Sequence, residues 1–311
     1  MWALTALLGF GCGGATVAGF AGSLWWRLDL FSHFRVQYAV LLAVVVVLCG
    51  LMRRPLAVTA AAALLAVNLA LIAPFYLDSP APAASGAPEL DVVLFNLHHD
   101  NTEHEPVTRY LRERDADVIV ALETTRAWFQ ALQEALPDHQ LVGEWREDAF
   151  GIAVLSRLPS SHHQVLYLAG SSLPAVEIFL EHGDQRIALL AVHPPPPVEP
   201  GLARERDDII AATAAWARNA ARNTDHVVVA GDMNATPWSH AMGQLTGPSG
   251  LVDSLEGSGI QMTWPAQLWP LRVPIDHVLH SPSLTTRRRE VGPFLGSDHR
   301  PVHVSLAPAG R

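Results

Sequence analysis

Residues 1–77 carry only five charged side chains, Arg27, Asp29, Arg35, Arg53 and Arg54, and this shortage of charge constrains the chain more than any other feature. Apolar runs cover about residues 3–26, 36–52 and 56–77. Each is near the roughly 17–25 residues that cross a hydrocarbon core as a helix. Trp25, Trp26, Tyr38, Phe75 and Tyr76 stand near their ends, where interfacial aromatic belts form. Three such runs in succession predict a membrane anchor of three transmembrane helices over residues 1–77, in contact with the lipid bilayer. Arg27 and Arg35 flank the first connection and Arg53 and Arg54 form the second, so the positive charges tie. After the third run no Arg occurs before Arg109, as in translocated flanks. The N-terminus and the Arg53–Arg54 turn are therefore expected inside, and the rest of the chain outside an inner or plasma membrane.

Residues 78–88 are rich in Pro and Ala and read as a semi-stiff linker. Residues 89–311 read as one folded domain. Past residue 77 the chain holds 17 Arg against 29 acids, a formal net charge of −12. Phosphate contacts from cationic side chains dominate nucleic-acid affinity, so this balance disfavours nucleic acid as partner. Both cysteines, Cys12 and Cys49, lie in the apolar runs, so the domain has neither a disulfide framework nor a thiolate metal site.

Within the domain, residues 91–97, 117–123, 151–156, 186–193, 226–231 and 275–281 are short, apolar and β-branched, which predicts strands. PVHVSL, residues 301–306, adds a last one. Residues 201–222 predict an amphipathic helix stopped by a left-handed Asn223. Strands mixed with helices, without strict βαβ repetition, suggest an α/β sandwich. Polar groups recur where strands end or begin: Asn96, Glu123, His193, Asp232, Asn234, Asp276, and the triplet Ser297, Asp298, His299. One such residue is ordinary turn chemistry. A whole set of acids, amides and imidazoles points to a converging site, since catalytic groups commonly come from strand ends. The pairs His98–His99 and His162–His163 read as surface or structural residues, because neighbours on a strand face opposite ways. His98 or His99 is the better substrate contact, being close to Asn96. Arg287, Arg288 and Arg289 read as a solvated edge, with contact to an anionic headgroup or polyphosphate as the lesser alternative. Trp238 and Trp264 read as packing residues, with the pocket mouth as the alternative place for Trp264.

The motifs FNL, ALET, GIAVLSR, AVHP, AGDMNATPWS, IDHVLHS and GSDHRPV occur in that order over roughly residues 90–307. In this the chain resembles the endonuclease/exonuclease/phosphatase superfamily, the DNase I-like proteins, and with its apolar N-terminus it looks like their bacterial membrane-anchored branch. The resemblance implies a four-layer α/β sandwich, two facing mixed sheets flanked by helices, and metal-dependent hydrolysis of a phosphate ester. It implies Mg²⁺, with Mn²⁺ as the alternative, held by Glu123 and Asp298. His299 would be the general base oriented by Asp276, with Asp232 near the nucleophile or leaving group. Asn234 and Asn96 would hold phosphoryl oxygens, and His193 would contact the phosphate. The chemistry suits these residue types. A hard cation takes oxygen ligands and keeps waters. A His with a carboxylate on its other nitrogen is a base poised near neutrality. The expected substrate is a phosphate ester, a phosphodiester or a lipid-linked pyrophosphate. The rivals are an extracytoplasmic nuclease and a catalytically inactive tethered binding module.

Overall fold

The structure is a computed structural model that describes every residue except Ser79 and Arg311. The apolar first quarter forms α1 (Trp2–Ala18), α2 (Trp26–Asp29), α3 (Arg35–Leu51), α4 (Pro55–Ile72) and α5 (Pro74–Leu77). Leu4, Leu7 and Phe10 of α1 and Val40, Val44 and Val47 of α3 are exposed. Helices apolar on every side need a non-aqueous surround. Two of them, Trp2–Ala21 with its short 3₁₀ extension and Pro55–Ile72, are long and apolar enough to cross a membrane. The middle run qualifies only together with the Trp26–Ser32 segment, from which α3 bends by 61°. The three-span expectation is thus met fully in length by two helices and by the third only as a bent pair.

The domain continues with β1 (Leu90–Asn96), α6 (His104–Arg114), β2 (Val118–Leu122), α7 (Arg126–Ala135), β3 (Gln140–Glu144), β4 (Ile152–Ser156), β5 (Ser160–Tyr167), β6 (Pro174–His182) and β7 (Gln185–Val192). It ends with α8 (Pro200–Ala220), β8 (His226–Asp232), α9 (His240–Ser249), β9 (Val252–Asp253), β10 (Asp276–His280), β11 (Leu284–Val291) and β12 (Val302–Pro308). Two mixed six-stranded sheets form, ordered β11-β12-β1-β2-β4-β3 and β5-β6-β7-β8-β10-β9. Val92, Val120 and Val154 of one sheet meet Ile178, Leu189 and Val228 of the other in the central core. Trp128 of α7 packs with Phe95 and Ile119 on one outer face, and Ile210 of α8 with Leu190 and Val229 on the other. The layers are helix, sheet, sheet, helix.

The expected strands appear within a residue or two of their bounds. Those not foreseen, β3, β5, β6, β9 and β11, include sheet edges whose polar outer faces dilute the apolar signal. In β11 a register shift between Thr286 and Arg288 turns Arg289 inward. Its buried guanidinium donates to Ser254 Oγ and to the Asp276 carbonyl, so the Arg run is not wholly solvated. The left-handed stop at Asn223 does not occur. The chain leaves α8 through a right-handed Ala221, and the Asn223 and Thr224 amides both return to the Ala220 carbonyl.

The apolar N-terminal helices, expected as the anchor, and the domain are docked by buried polar contacts. Asp29 pairs with Arg206 at 3.4 Å and accepts from the His240 amide at 2.7 Å. His33 Nδ1 lies 3.0 Å from Thr236 Oγ1, and Trp238 donates to the Leu71 carbonyl at 3.0 Å. Trp238 therefore packs against the anchor, edge-on to Phe75. The Pro- and Ala-rich segment is itself held to the domain. Ala83 bridges Ala309, and the Ala81 carbonyl accepts from Thr285.

One buried pair holds the strand that carries Asp276. His277 Nδ1 donates to Asp253 Oδ2 at 2.6 Å and Nε2 to the Ala235 carbonyl at 2.9 Å, so the ring ties β10 to β9 and to the turn after β8. Burial works against both charges. The Asp253 carboxylate nevertheless holds the imidazole above its usual value, and the imidazolium, with Arg289, holds the carboxyl below its own. Asp253 therefore contributes stability above its unfolded value, about 3.9, and loses it as pH falls further; His277 contributes fully below about 6.5 and loses it as pH rises through its raised folded value. The pair is strongest between those limits. Asp253→Asn should cost about 3–5 kcal/mol in urea unfolding and flatten the stability–pH profile. A profile unchanged by the substitution would contradict the pairing.

Candidate active site

The polar strand ends converge where the two sheets open. β1 and β2 run parallel with Asn96 beside Leu122, so Glu123 emerges next to Asn96. β8 and β10 run antiparallel with Asp232 directly opposite Asp276, which puts both carboxylates on one side. Glu123 and Asn234 both take positive φ, 57° and 47°. That conformation costs a non-glycine residue about 1–2 kcal/mol, and such strain gathers at functional sites.

Asp232 Oδ2 is the hub. Asn96 Nδ2 donates to it at 3.2 Å, His299 Nε2 lies 3.5 Å away and His193 Nε2 3.6 Å away. Asn96 Nδ2 also reaches Glu123 Oε1 at 3.0 Å. His299 Nδ1 is 2.9 Å from Asp276 Oδ2, and Ser297 Oγ accepts from the His299 amide. Asn96, Glu123, His193, Asp232, Asp276 and His299 are all buried. Burial alone would strip His299 of its proton, but the Asp276 and Asp232 carboxylates push its pKa up to about 10. Burial likewise opposes ionised Asp232, yet His299 and His193 bring it down to about 2. Against burial, Asp232 raises the pKa of His193, and His193, His99 and Asn96 lower that of Glu123. The result is a network of imidazolium and carboxylate with Glu123 ionised.

Two sequence-expected residues sit at the rim. Asp298 is half-exposed, with Oδ2 accepting from Trp264 Nε1 at 3.0 Å and Oδ1 3.3 Å from His98 Nδ1. Asn234 turns its amide to the Pro194 carbonyl at 3.0 Å, while its backbone N–H donates to Asp232 Oδ1. Trp264 takes its alternative place at the pocket mouth, where it holds Asp298 and lies 6.3 Å from the His299 ring.

His98 and His99 depart from the expected surface role. The strand ends at Asn96, so the opposite-faces argument does not apply; His98 takes φ 61° and both rings turn toward Glu123. His99 Nδ1 is 2.8 Å from Glu123 Oε2 and His98 Nδ1 is 3.6 Å from the same oxygen. His162 and His163, on the edge strand β5, remain exposed. Among the described residues, His98, His99 and Glu123 form one group with ligand atoms within 4.8 Å of one another, and Asp232, Asp276 and His299 form another. The donor set suits a divalent ion: an ionised Glu123, an imidazole, and an Asp298 Oδ1 that is shielded from water yet lacks a hydrogen-bond partner.

A family model described as the Endonuclease/Exonuclease/phosphatase family matches residues 93–299, more than half of the chain. The chain belongs to this family. Its members are hydrolases of phosphate esters that use divalent metal ions. An endonuclease/exonuclease/phosphatase family protein from Bacteroides thetaiotaomicron has a TM-score of 0.60 at 16% identity, over 72% of this chain and 96% of that one. The mannosyl-6-phosphatase of Bacteroides thetaiotaomicron VPI-5482 gives 0.58 at 16% identity, over 70% and 99%. TDP2 of D. rerio, solved with a single-strand DNA product, gives 0.57 at 14% identity, over 70% and 98%. Identities this low establish the fold. No curated protein matches the chain.

Proposed function

We propose that the chain is a membrane-anchored, divalent-metal-dependent phosphoesterase whose domain lies on the extracytoplasmic side and hydrolyses a phosphate ester, phosphodiester or lipid-linked pyrophosphate. The observation that carries this reading is the convergence of Asn96, Glu123, Asp232, Asp276 and His299 from both sheets on one buried polar cluster. Glu123 and Asp298 would hold a divalent ion, which would supply charge neutralisation at the phosphoryl oxygens. The chain's own groups handle the proton. Asp276 fixes His299 Nδ1–H, and in the neutral form of the ring this leaves Nε2 to take a proton from the attacking water. Water's oxygen bonds to phosphorus, the bond to the leaving oxygen breaks, and the proton passes on to that oxygen. Asn96 offers N–H donors without adding a further negative charge to an already anionic site.

The positions of the cations support the orientation. Arg54 stacks on Trp2 at 5.0 Å, which joins the N-terminus and the second turn at the end of the anchor away from the domain. On the domain side Arg35 is buried and donates to the Thr16 carbonyl. The free charge of Arg53 and Arg54 thus breaks the tie and favours that end as the cytoplasmic one.

The full-length protein in detergent should release p-nitrophenol from bis(p-nitrophenyl) phosphate, lose that activity with EDTA and regain it with Mg²⁺ or Mn²⁺. Plasmid DNA in a parallel incubation should stay intact. Activity indifferent to EDTA would reject the metal-dependent reading, and faster turnover of DNA would favour a nuclease.

A further inference from the structure

Beside the polar cluster lies a cleft of about 780 Å³ that none of the chemistry above uses. Its volume falls within the range of small-ligand pockets, about 300–1,000 Å³. One wall is the anchor's first connection and the start of α3, with Phe31, Phe34 and Tyr38. The other is the stiff proline run after His193, ending in Val198. Asn234 and Trp264 line the cleft and also touch the cluster, through Asp232 and Asp298 respectively.

We propose that this cleft takes the hydrocarbon chain of a membrane lipid whose phosphorylated head is the substrate. The inference rests on the phosphoesterase reading and names its substrate class. Three observations select a lipid chain. The walls are apolar and aromatic, and Val198 and Phe31 are 70% and 42% exposed, surface that a polar substrate would leave unsatisfied. The cleft lies at the domain end of the apolar helices, where Trp25, Trp26 and Arg27 gather, with Arg27 stacked 5.2 Å from each indole ring. Tryptophan and arginine at that level mark a bilayer interface. Asn234 and Trp264 link the cleft to the phosphate end of the site, so one molecule can hold its head at Asp232 and its chain between the anchor and the proline run. The rigid docking of anchor to domain through Asp29 and Arg206 keeps both walls in register.

The test uses alkyl p-nitrophenyl phosphodiesters from ethyl to hexadecyl with the full-length protein in detergent and Mn²⁺. The expected result is a kcat/KM that climbs with chain length, by up to about fourfold per buried methylene, mainly through a falling KM. Val198→Glu, at an exposed loop position, should sharply reduce the ratio of hexadecyl to ethyl kcat/KM. A brominated hexadecylphosphonate, which cannot be hydrolysed, should quench tryptophan fluorescence in the wild type more than in Val198→Glu. Hydrolysis indifferent to chain length, with equal quenching in both proteins, overturns the cleft proposal and leaves the phosphoesterase reading standing. Variant-sensitive quenching with no ester hydrolysed would uphold the cleft as a chain site and sink the phosphoesterase reading instead.

Discussion

His299→Ala should lower kcat by about 10²–10⁴-fold, the usual contribution of a positioned proton acceptor, while divalent-ion binding stays near the wild-type level. The geometry separates the two roles. His299 is held between Asp276 and Asp232, and its nitrogens make no contact with Glu123. The charge balance adds a second expectation. Burial disfavours the imidazolium, but the two carboxylates more than compensate and carry its pKa to about 10. In the metal-free protein the imidazolium therefore persists through neutral pH and yields to the neutral base only as pH rises well beyond the ordinary histidine range. A histidine NMR titration of EDTA-treated protein should show this. Asp276→Asn removes the larger of the two raising charges, so the same titration should inflect at lower pH. The variant should also lose kcat, because nothing then fixes the tautomer. A His299→Ala enzyme with wild-type kcat would remove it from the role of base, and a His299 that titrates normally in the wild type would contradict the charge balance around it.

Much of this site was legible in the sequence because strand ends announce themselves. Asn96, Asp232 and Asp276 bound runs of β-branched residues that could only be buried strands, and register then forces the two aspartates together. The edges β5 and β11 were not legible, since one polar face leaves no continuous apolar run. For His98 and His99 the expected surface role failed for a local reason: it carried strand alternation past the end of β1, while the chain bends at a left-handed His98. Their nearness to Asn96 was the signal that did point to the site. The docking of anchor to domain depends on contacts far apart in sequence, such as Asp29 with Arg206. One signal for it was present. Asp29 is the sole acid in the first 77 residues, and an ionisable group in an apolar segment usually marks a partner or a function.

Glu123→Gln tests the metal arm of the site and should have the other large effect. The substitution keeps the side chain's shape and its contact with Asn96, but it removes the one ionised carboxylate that faces both His98 and His99. Burial raises the cost of that charge, yet His193, His99 and Asn96 keep its pKa below the usual glutamate value, so at neutral pH the wild type offers a full negative charge. A divalent ion has little else buried to bind here, because Asp298 is at the rim and Asp232 and Asp276 are committed to His299. Metal that binds only the folded state stabilises it by about 2.7 kcal/mol at a hundredfold excess over Kd. The wild type should therefore melt higher with Mg²⁺ or Mn²⁺ than with EDTA, and Glu123→Gln should show almost none of that rise. Turnover should fall by about 10³-fold, the order expected when a principal source of transition-state charge stabilisation is lost. His99→Ala discriminates further. If the imidazole only orients Glu123, the metal-dependent rise in melting temperature should shrink but survive. If His99 is itself a ligand, the Mn²⁺ response should drop more than the Mg²⁺ response, because nitrogen donors favour the softer ion. A metal response that is undiminished in Glu123→Gln would place the ion elsewhere and overturn the assignment.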